Sequence, residues 1–336
     1  MKTLTKTLIL CLLITGMFMS SVTAQKDLAG ALENGKWGFI GLEGTWVIKP
    51  MFDEVQSFSE GLASACVGGK WGFINTSGVW VIQPAYKRAE DFSEGLARVI
   101  SSKTGKWIYI DKTGAPAFQE QFENCMNFSE GRAAARASSK WGYIDKNGRY
   151  VISDKYEHAE TFSDGMGRVV LDGIYGFVDP TGEWALKTSM ENLRDMKTGI
   201  APAKGKKGWG FIDRTGKVIV PTENEHAGNF SEGLGRSRSE GKWGYYDQSG
   251  KLVIPFKFEN CRDFSEGMAA VNTGKSWGYI DKTGTILIPA HFDKVLDFSD
   301  GCAPVRIGKR WGYVDKTGKM LIQPRFDDAL PFVRCN

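Results

Sequence analysis

The stretch Trp277-Gly278-Tyr279-Ile280-Asp281-Lys282-Thr283-Gly284 shows most clearly the unit from which this chain is built. An aromatic residue at the Trp277 position recurs every 34 residues, except for one step of 36 between Trp71 and Trp107. Self-similarity at a period of roughly 20 to 50 residues is typical of repeat architectures. The sequence therefore predicts nine copies of one unit, with their aromatic slots at Trp37, Trp71, Trp107, Trp141, Tyr175, Trp209, Trp243, Trp277 and Trp311.

Each unit is predicted to be a three-stranded antiparallel meander. Aromatic and β-branched residues at 277–280 favour a strand, and the runs 268–271 and 285–288 favour two more. Asp281–Gly284 is typical of a hairpin loop in which a type I turn is closed by a left-handed glycine. Only glycine takes positive φ at little cost. This glycine occurs in all nine copies, at Gly44, Gly78, Gly114, Gly148, Gly182, Gly216, Gly250, Gly284 and Gly318.

The units are expected to stack face to face, because a single meander is marginally stable and both faces of the Trp strand are apolar. The glycine after each Trp is expected to make room for the indole of the next unit. No helical periodicity is seen, so the fold class is all-β. Nine units exceed the usual 4–8 propeller blades, and Leu28–Asn34 can supply the first strand before Trp37. The sequence thus favours an open, curved or superhelical stack, with a closed β-propeller-like ring as the alternative.

Three motifs resemble those of the bacterial WG-repeat (KWG-repeat) proteins: Lys140–Asp145, Val47–Pro50 and Phe58–Gly61. The resemblance runs from about Leu28 to Phe332. It implies a β-rich repeat scaffold of the kind found in exported and envelope-associated bacterial proteins, without a general catalytic activity. The fifth repeat departs most, since Tyr175 replaces Trp and Met196–Gly199 replaces Phe-Ser-Glu-Gly; it is expected to be a bend or a specialised surface.

Residues 1–24 are predicted to be a signal peptide. Lys2 and Lys6 precede the apolar run Leu8–Met19, and the small residues Val22–Ala24 follow it. Cleavage after Ala24 would leave residues 25–336 as the repeat domain, in the periplasm or secreted, whereas a retained N-terminal anchor is the alternative reading. No later segment has the roughly 20 apolar residues that a transmembrane helix needs.

The charge balance of the chain bears on the class of partner. The 43 Lys and Arg residues less Lys2 and Lys6 give 41, against 39 Asp and Glu residues. This near-neutral balance argues against nucleic acid as the partner.

The cysteines after residue 24 occupy small apolar slots and are expected to be buried hydrophobes; disulfides, or a redox or metal role, are the alternatives. They are Cys66, Cys125, Cys261, Cys302 and Cys335.

Two sets of residues are candidates for a ligand or partner surface. The acids of the Phe-Ser-Glu-Gly turns form a ladder that could bind cations or basic groups, or they could cap backbone N–H groups: Glu60, Glu94, Glu130, Asp164, Glu232, Glu266 and Asp300. Three tryptophans outside the repeated slot could stack on sugars: Trp46, Trp80 and Trp184. The slot tryptophans are instead expected to join the units, and the lysines around them to form a solvated rim.

Classical catalysis has little support. His158, His226 and His291 form no metal-ligand motif, and no GxSxG or phosphate-loop motif is present. No cofactor, metal or catalytic residue is therefore predicted. The leading hypothesis is an exported, non-enzymatic scaffold that binds a protein or an envelope polysaccharide. A carbohydrate-binding module is the alternative, and a hydrolase using scattered carboxylates has the least support. Irregular copies, at Tyr175 and before Trp107, are expected to mark function.

Overall fold

The computed structural model describes residues 26–335, which form nine antiparallel β-sheets. The predicted signal peptide lies outside the described residues. Each sheet contains one aromatic slot, and we number the sheets as blades 1–9 in the order of those slots. Residues 26–335 contain strands and turns and no helix, so the expected all-β class is confirmed, and no helix of the described range could cross a membrane.

Blades 2 and 4 follow one pattern, which is a two-residue strand, two central strands and a long outer strand; blade 3 lacks the outer strand. Blade 1 contains β1 (Lys26–Glu33), β2 (Lys36–Ile40) and β3 (Trp46–Phe52). Blade 2 contains β4 (Glu54–Val55), β5 (Leu62–Val67), β6 (Lys70–Asn75) and β7 (Trp80–Tyr86). Blade 3 contains β8 (Arg88–Ala89), β9 (Ala97–Ile100) and β10 (Trp107–Ile110), and blade 4 contains β11 (Asn124–Cys125), β12 (Ala133–Arg136), β13 (Trp141–Ile144) and β14 (Tyr150–Tyr156).

Blades 5 to 9 each have four strands. Blade 5 contains β15 (His158–Ala159), β16 (Gly167–Leu171), β17 (Ile174–Val178) and β18 (Trp184–Lys187); blade 6 contains β19 (Asn192–Leu193), β20 (Ile200–Gly205), β21 (Gly208–Asp213) and β22 (Val218–Asn224). Blade 7 contains β23 (His226–Ser231), β24 (Leu234–Ser239), β25 (Lys242–Asp247) and β26 (Leu252–Phe258). Blade 8 contains β27 (Asn260–Cys261), β28 (Ala269–Asn272), β29 (Trp277–Ile280) and β30 (Ile286–Phe292), and blade 9 contains β31 (Lys294–Val295), β32 (Cys302–Ile307), β33 (Arg310–Asp315) and β34 (Met320–Phe326).

The two ends of the described chain meet in blade 1 and close the ring. Strands β35 (Asp328–Ala329) and β36 (Val333–Cys335) both pair antiparallel with β1, with Ala329 opposite Ala31 and Cys335 opposite Lys26. The expectation of an open superhelical stack is therefore wrong, and the fold is a closed nine-bladed ring. Blade 1 is split between the termini after all. The split is hidden in the sequence because Leu28–Asn34 completes a three-stranded unit, and only a fourth strand reveals it.

The prediction of three-stranded units is also wrong. The additional strand is the two-residue segment typified by β4, which pairs Glu54 with Cys66 and Val55 with Ala65. It is too short for alternation to be visible in the sequence. Side chains near these short strands interact across non-neighbouring blades: Asp263 of blade 8 acts electrostatically on Arg194 of blade 6. The short strands therefore line the central axis, and the long strands such as β7 form the rim.

The glycine after each Trp makes room for backbone, not for a neighbouring indole as expected. A Cβ on Gly72 would lie 2.4 Å from the carbonyl oxygen of Ile82 on β7, and β6 and β7 change register there. A β-bulge thus brings the outer strand onto the glycine. Blade 3 has Ile108 at this position, and its outer segment is reduced to isolated bridges through Pro116 and Phe122.

The core lies between blades and consists mainly of Ala, Val, Ile and aromatic side chains. The nine turn glycines have φ between 75° and 88°. A Cβ on Gly44 would lie 3.1 Å from Ile322 of blade 9, so the same close contact that joins successive blades also closes the ring. All five cysteines of the described range are buried, and Cys66, Cys125, Cys261 and Cys302 are free thiols. Burial raises the pKa of the Cys261 thiol to about 12.

Candidate functional site

The Phe-Ser-Glu-Gly segments are tight turns at one end of the ring, which we call the acid-turn end. Ser59 and Leu62 exchange backbone hydrogen bonds, and both Glu60 and Gly61 have positive φ, at 52° and 85°. Two consecutive left-handed residues in a two-residue hairpin define a type I′ turn. The acidic residues of this set all have φ between 48° and 55°. The acidic position is thus held in a conformation that favours glycine, asparagine and aspartate.

The turn acids join each blade to the next. The carboxylate of Glu60 accepts a hydrogen bond of 3.1 Å from the backbone N–H of Gly95 and pairs with Lys112 Nζ at 3.1 Å. Both partners belong to the following blade. The other bonds from carboxylate to Gly N–H measure 2.8–3.1 Å, in the pairs Glu94–Gly131, Glu130–Gly165, Asp164–Gly199, Glu232–Gly267 and Glu266–Gly301.

The serine before each acid adds a second link between blades. Ser59 Oγ donates to Phe92 O at 2.8 Å. The same bond recurs at 2.6–2.9 Å from Ser93, Ser129, Ser163, Ser231, Ser265 and Ser299. The turn lysines that were expected to be a solvated rim take part as well, since Lys112, Lys146, Lys282 and Lys316 pair with turn acids. The acid-turn end is therefore a ring of internal hydrogen bonds and ion pairs.

Blade 6 interrupts this ring. Lys197 replaces the serine and Thr198 replaces the acid, and the hairpin of blade 7 has Gln248 in place of the lysine. Gln248 Nε2 donates to Thr198 Oγ1 at 3.4 Å, a weak substitute for the ion pair. A cavity of about 430 Å3 opens here and is lined by residues of four successive blades, including Glu130, Asp164, Lys197 and Glu232. The irregular fifth repeat of the sequence thus ends at a specialised part of the acid-turn end.

The slot tryptophans lie at the joints between blades. Trp141, Trp243 and Trp311 are buried, and the others are half-buried. Trp46, Trp80 and Trp184 lie on outer strands and are also half-buried. Trp46 packs edge-on against Phe326, and Trp80 against Phe52, with ring centroids 5.5 and 5.6 Å apart. Trp46 also lines a groove of about 430 Å3 with Lys36, Lys49 and Glu33.

The inner ends of the blades differ from one another in sequence, whereas the acid turns are nearly constant. We call the residue that follows each two-residue strand, or the equivalent position in blade 7, the channel position; it lies nineteen residues after the preceding aromatic slot. Together these positions form the channel edge. From blade 2 round to blade 1 they are Gln56, Glu90, Met126, Glu160, Arg194, Gly228, Arg262, Leu296 and Leu330.

Positive charge gathers at the inner ends of blades 6, 7 and 8, in a set that we call the arginine arc. It consists of Arg194 and Arg262 at channel positions and of Arg236 on β24, beside Gly228. Arg236 Nε binds Asp263 at 2.6 Å, and Arg262 Nη1 lies 3.4 Å from Asp297 Oδ2. Arg194 stacks on Trp209 at 5.1 Å and donates to His226 Nε2 at 2.8 Å, and it has no carboxylate partner within the described range. Burial, and then the charge of Arg236, lower the pKa of Arg194.

A cleft of about 620 Å3 opens beside the arginine arc, between the inner strands of blades 7, 8 and 9. Its walls include Arg236, Arg262, Asn260, Lys294, Trp277 and Trp311. This volume lies within the 300–1,000 Å3 typical of small-molecule sites. Sequence reasoning missed this site because it compared what the repeats share. The signal lay in the channel position, which is Arg in blades 6 and 8 and Gln, Glu, Met, Gly or Leu in the other blades.

The histidines have ordinary partners. His158 Nε2 lies 2.7 Å from Glu160, and His291 Nδ1 lies 2.8 Å from Pro289 O. Burial, and then Arg194 and Arg236, lower the pKa of His226, so its Nε2 accepts from Arg194 in the neutral form. Across residues 26–335, no three His, Cys, Asp or Glu side chains are grouped so that they could hold a metal ion.

A closed ring of nine radial sheets with a channel along its axis makes this protein a β-propeller. The model of the WG containing repeat matches eight segments, residues 37–71, 71–107, 109–141, 141–173, 209–243, 243–275, 277–311 and 311–336. The chain therefore belongs to the WG-repeat family. The resemblance read from the sequence is confirmed, and the one unmatched unit is the copy that contains Tyr175.

Several solved structures are similar to this chain at low sequence identity. A structure described as a eukaryotic initiation factor has a TM-score of 0.67 at 10% identity, over 92% of this chain and 98% of that one. Dihydro-heme d1 dehydrogenase NirN scores 0.49 at 11% identity, over 92% and 75%. AztD from Citrobacter koseri scores 0.45 at 11% identity, over 93% and 99%. At this identity the first likeness shows the propeller fold alone. No curated protein matches the chain.

Proposed function

We propose that the protein is an exported, non-enzymatic scaffold that binds a protein or an envelope component at its channel edge. One observation carries this proposal: residues that the copies share build the ring, whereas the residues at the channel positions change from blade to blade. Glu60 and Ser59, for example, form their hydrogen bonds with the next blade. Arg194 and Arg262 instead stand where other blades have Gln56 or Leu296. Selection for a ligand acts on positions that the ring itself does not need.

The non-enzymatic part of the proposal rests on how the reactive side chains are held. The histidines bind neighbouring protein groups, and burial raises the pKa of Cys125 to about 11 and of Cys302 to about 12. A thiol with such a pKa is a poor nucleophile at neutral pH, because the thiolate is the reactive form. The export part rests on residues 1–24 of the sequence, and secretion of the full chain with an N-terminus at Gln25 is its direct test.

Binding to isolated cell envelope tests the proposal. Labelled chain from Gln25 is expected to bind saturably and to be displaced by unlabelled protein. Asn260→Trp places an indole in the cleft of blades 7–9, and it is expected to weaken binding by about tenfold or more, because it fills the space that a ligand needs. Gln323→Trp places the same group on the exposed outer strand β34 and serves as the matched control.

Two results would contradict the proposal. Absence of saturable binding by the unmodified chain would rule out envelope attachment. Equal binding of both Trp variants and the unmodified chain would move the interaction away from the channel edge. Treatment of the envelope with protease, or with glycan-degrading enzymes, tells a protein partner from a polysaccharide.

A carbohydrate-binding module using the outer tryptophans is the second candidate, and the groove beside Trp46 favours it. The half-buried indole stands next to Lys36, Lys49 and Glu33, which offer hydrogen bonds around an apolar face. A panel of neutral glycans is expected to quench Trp fluorescence in this case, and Trp46→Phe to remove the response. Retention of quenching by Trp46→Phe would eliminate this groove.

A further inference from the structure

The cleft beside the arginine arc combines the two kinds of group that recognise charged sugars. Trp277 is half-buried and Trp311 is buried, and both lie on the wall of the cleft. Indole rings are large, apolar surfaces with a polar N–H at one edge. Arg236 and Arg262 lie on the same walls, with side chains 25% and 38% exposed. Guanidinium groups match the planar geometry of carboxylates.

The charge balance of the cleft fits one negative charge. Counted over the arginine arc, its ion-pair partners and the charged residues of the cleft wall, Arg194, Arg236, Arg262 and Lys294 give four positive charges, and Asp263, Asp293 and Asp297 give three negative ones, a net charge of +1. Of these four cations, Arg236 and Arg262 have ion-pair partners among residues 26–335, whereas Arg194 and Lys294 have none. The Arg262–Asp297 contact of 3.4 Å is longer than a strong charge-assisted bond of about 2.7–2.9 Å. Both arginines therefore keep donors for a ligand.

Glycine at the channel position of blade 7 allows the arc to form. A Cβ on Gly228 would lie 2.6 Å from Nε and 2.7 Å from Cγ of Arg236. In blades 3 and 5 the channel position is Glu90 or Glu160, and its carboxylate pairs with Arg98 or Arg168, the equivalent of Arg236. Gly228 offers Arg236 no such carboxylate. Gly228 thus leaves the space between the channel positions of blades 6 and 8 to Arg236, and three guanidinium groups follow one another along the channel edge.

We infer that the arginine arc and the adjoining cleft bind a carboxylate-bearing sugar, of the uronic-acid type, as part of an acidic envelope polysaccharide. This inference rests on the proposed function and names the class of its ligand. The arginines bind the carboxylate, and Trp277 contacts the apolar face of the sugar ring. Because Asn260 Oδ1 already accepts from the Cys261 N–H, the Asn260 side chain offers its NH2 group to the sugar hydroxyls. A net charge of +1 suits a carboxylate monoanion better than a polyphosphate.

Blade 2 provides a matched control within the same chain. Its cleft of about 360 Å3 is lined by Trp71, Gln56, Lys87 and Arg88, so it has the slot tryptophan without the arc. Gln56 replaces Arg262 at the channel position. A ligand that needs the arc will therefore distinguish the two clefts, whereas one that binds any slot tryptophan will not.

The experiment titrates digalacturonic acid into the chain from Gln25, with neutral digalactose as the control ligand, and follows heat and Trp fluorescence. We expect one saturable site for the acidic disaccharide and none for the neutral one. Arg262→Gln and Trp277→Phe are each expected to weaken binding by about tenfold or more. The first removes a charge-assisted hydrogen bond, and the second removes the indole N–H and part of the aromatic contact area. Trp71→Phe is expected to bind as the unmodified chain does.

Other outcomes would overturn the inference. Equal binding of the neutral disaccharide would remove the role of the carboxylate. Complete displacement by equimolar inorganic phosphate or sulfate would reduce the site to a general anion site. Unchanged binding by Arg262→Gln would exclude the arc, and this variant keeps the test open if Trp277→Phe fails to fold. Saturable envelope binding without binding of the acidic disaccharide would reject this ligand class while leaving the proposed function intact.

Discussion

At the acid-turn end, Glu60 accepts hydrogen bonds from the next blade, whereas at the channel edge Arg194 stands without a carboxylate partner among residues 26–335. The contrast extends to buried polar atoms. Within the described chain, buried atoms without a hydrogen-bond partner include Asp91 Oδ1, His226 Nδ1, Asn229 Oδ1 and Asp297 Oδ1 near the channel edge, against Arg132 Nε beside the acid turns. Each such atom costs about 1–3 kcal/mol. The acid-turn end stabilises the ring, whereas the channel edge lowers its stability and holds groups that remain available to a ligand.

The largest expected effect comes from the bulge that defines the regular blade. Gly72→Ala would place a Cβ 2.4 Å from Ile82 O, so strands β6 and β7 would have to separate. We expect a loss of about 3 kcal/mol or more, at the upper end of overpacking costs, measured by urea unfolding. Gly41→Ala is the control, because its Cβ would meet only Val47 Cγ2 at 3.6 Å. Similar unfolding midpoints for both variants would contradict the close approach.

The second largest expected effect is a gain in stability, and it comes from a substitution near the channel edge. Burial, and then the charge of Glu90, raise the pKa of Asp91 to about 6. When the pKa of a carboxyl group is higher in the folded protein than in the unfolded chain, the fold becomes less stable as the pH rises from the unfolded-state pKa to the folded-state pKa. Because each pKa unit is about 1.4 kcal/mol and the side chain is partly exposed, Asp91→Asn is expected to stabilise the fold by about 1–2 kcal/mol at pH 7.

This gain should vanish near pH 4, where Asp91 is protonated in the folded protein. Thermal unfolding of both proteins between pH 4 and pH 7 checks the dependence. Asp111→Asn is the contrasting variant, because hydrogen bonds led by that from Thr113 lower the pKa of this turn carboxyl despite slight burial. Stabilisation by Asp91→Asn that does not change with pH would show that the charge of Asp91 is not its cause.

A smaller effect compares a regular junction with the irregular one. Ser59→Ala removes the bond to Phe92 O and is expected to cost about 1 kcal/mol. Lys197→Ser restores the serine that the blade 6 turn lacks, and it is expected to stabilise by up to about 1 kcal/mol if Phe230 O gains the same bond. Differential scanning calorimetry measures both. A gain from Ser59→Ala would show that the serine ring does not hold the blades together.

Much of the ring could be predicted from the sequence, because its structural residues repeat. Gly44 and its eight equivalents specify a left-handed turn residue, and nine copies make the pattern visible. The strand Glu54–Val55 could not be predicted, since two residues show no alternation. Ring closure could not be predicted for the same reason, because it depends on Asp328–Ala329, which is the equivalent two-residue strand near the C-terminus. The arginine arc arises from three blades side by side, and each Arg alone resembles an ordinary surface residue.

The smallest effect on stability is expected at Arg194, and it separates the two regions most sharply. A lowered pKa means that the fold disfavours the charged guanidinium relative to the unfolded chain, so removal of the charge should help folding. Arg194→Gln is therefore expected to raise stability by a few tenths of a kcal/mol, after the lost stacking on Trp209 is counted. The same variant should weaken binding of the acidic disaccharide by about tenfold. A residue that lowers the stability of the fold and raises its affinity for the ligand is expected at a position where the residue type serves binding rather than the repeat structure. Loss of stability with unchanged affinity would place Arg194 with the structural residues of the ring instead.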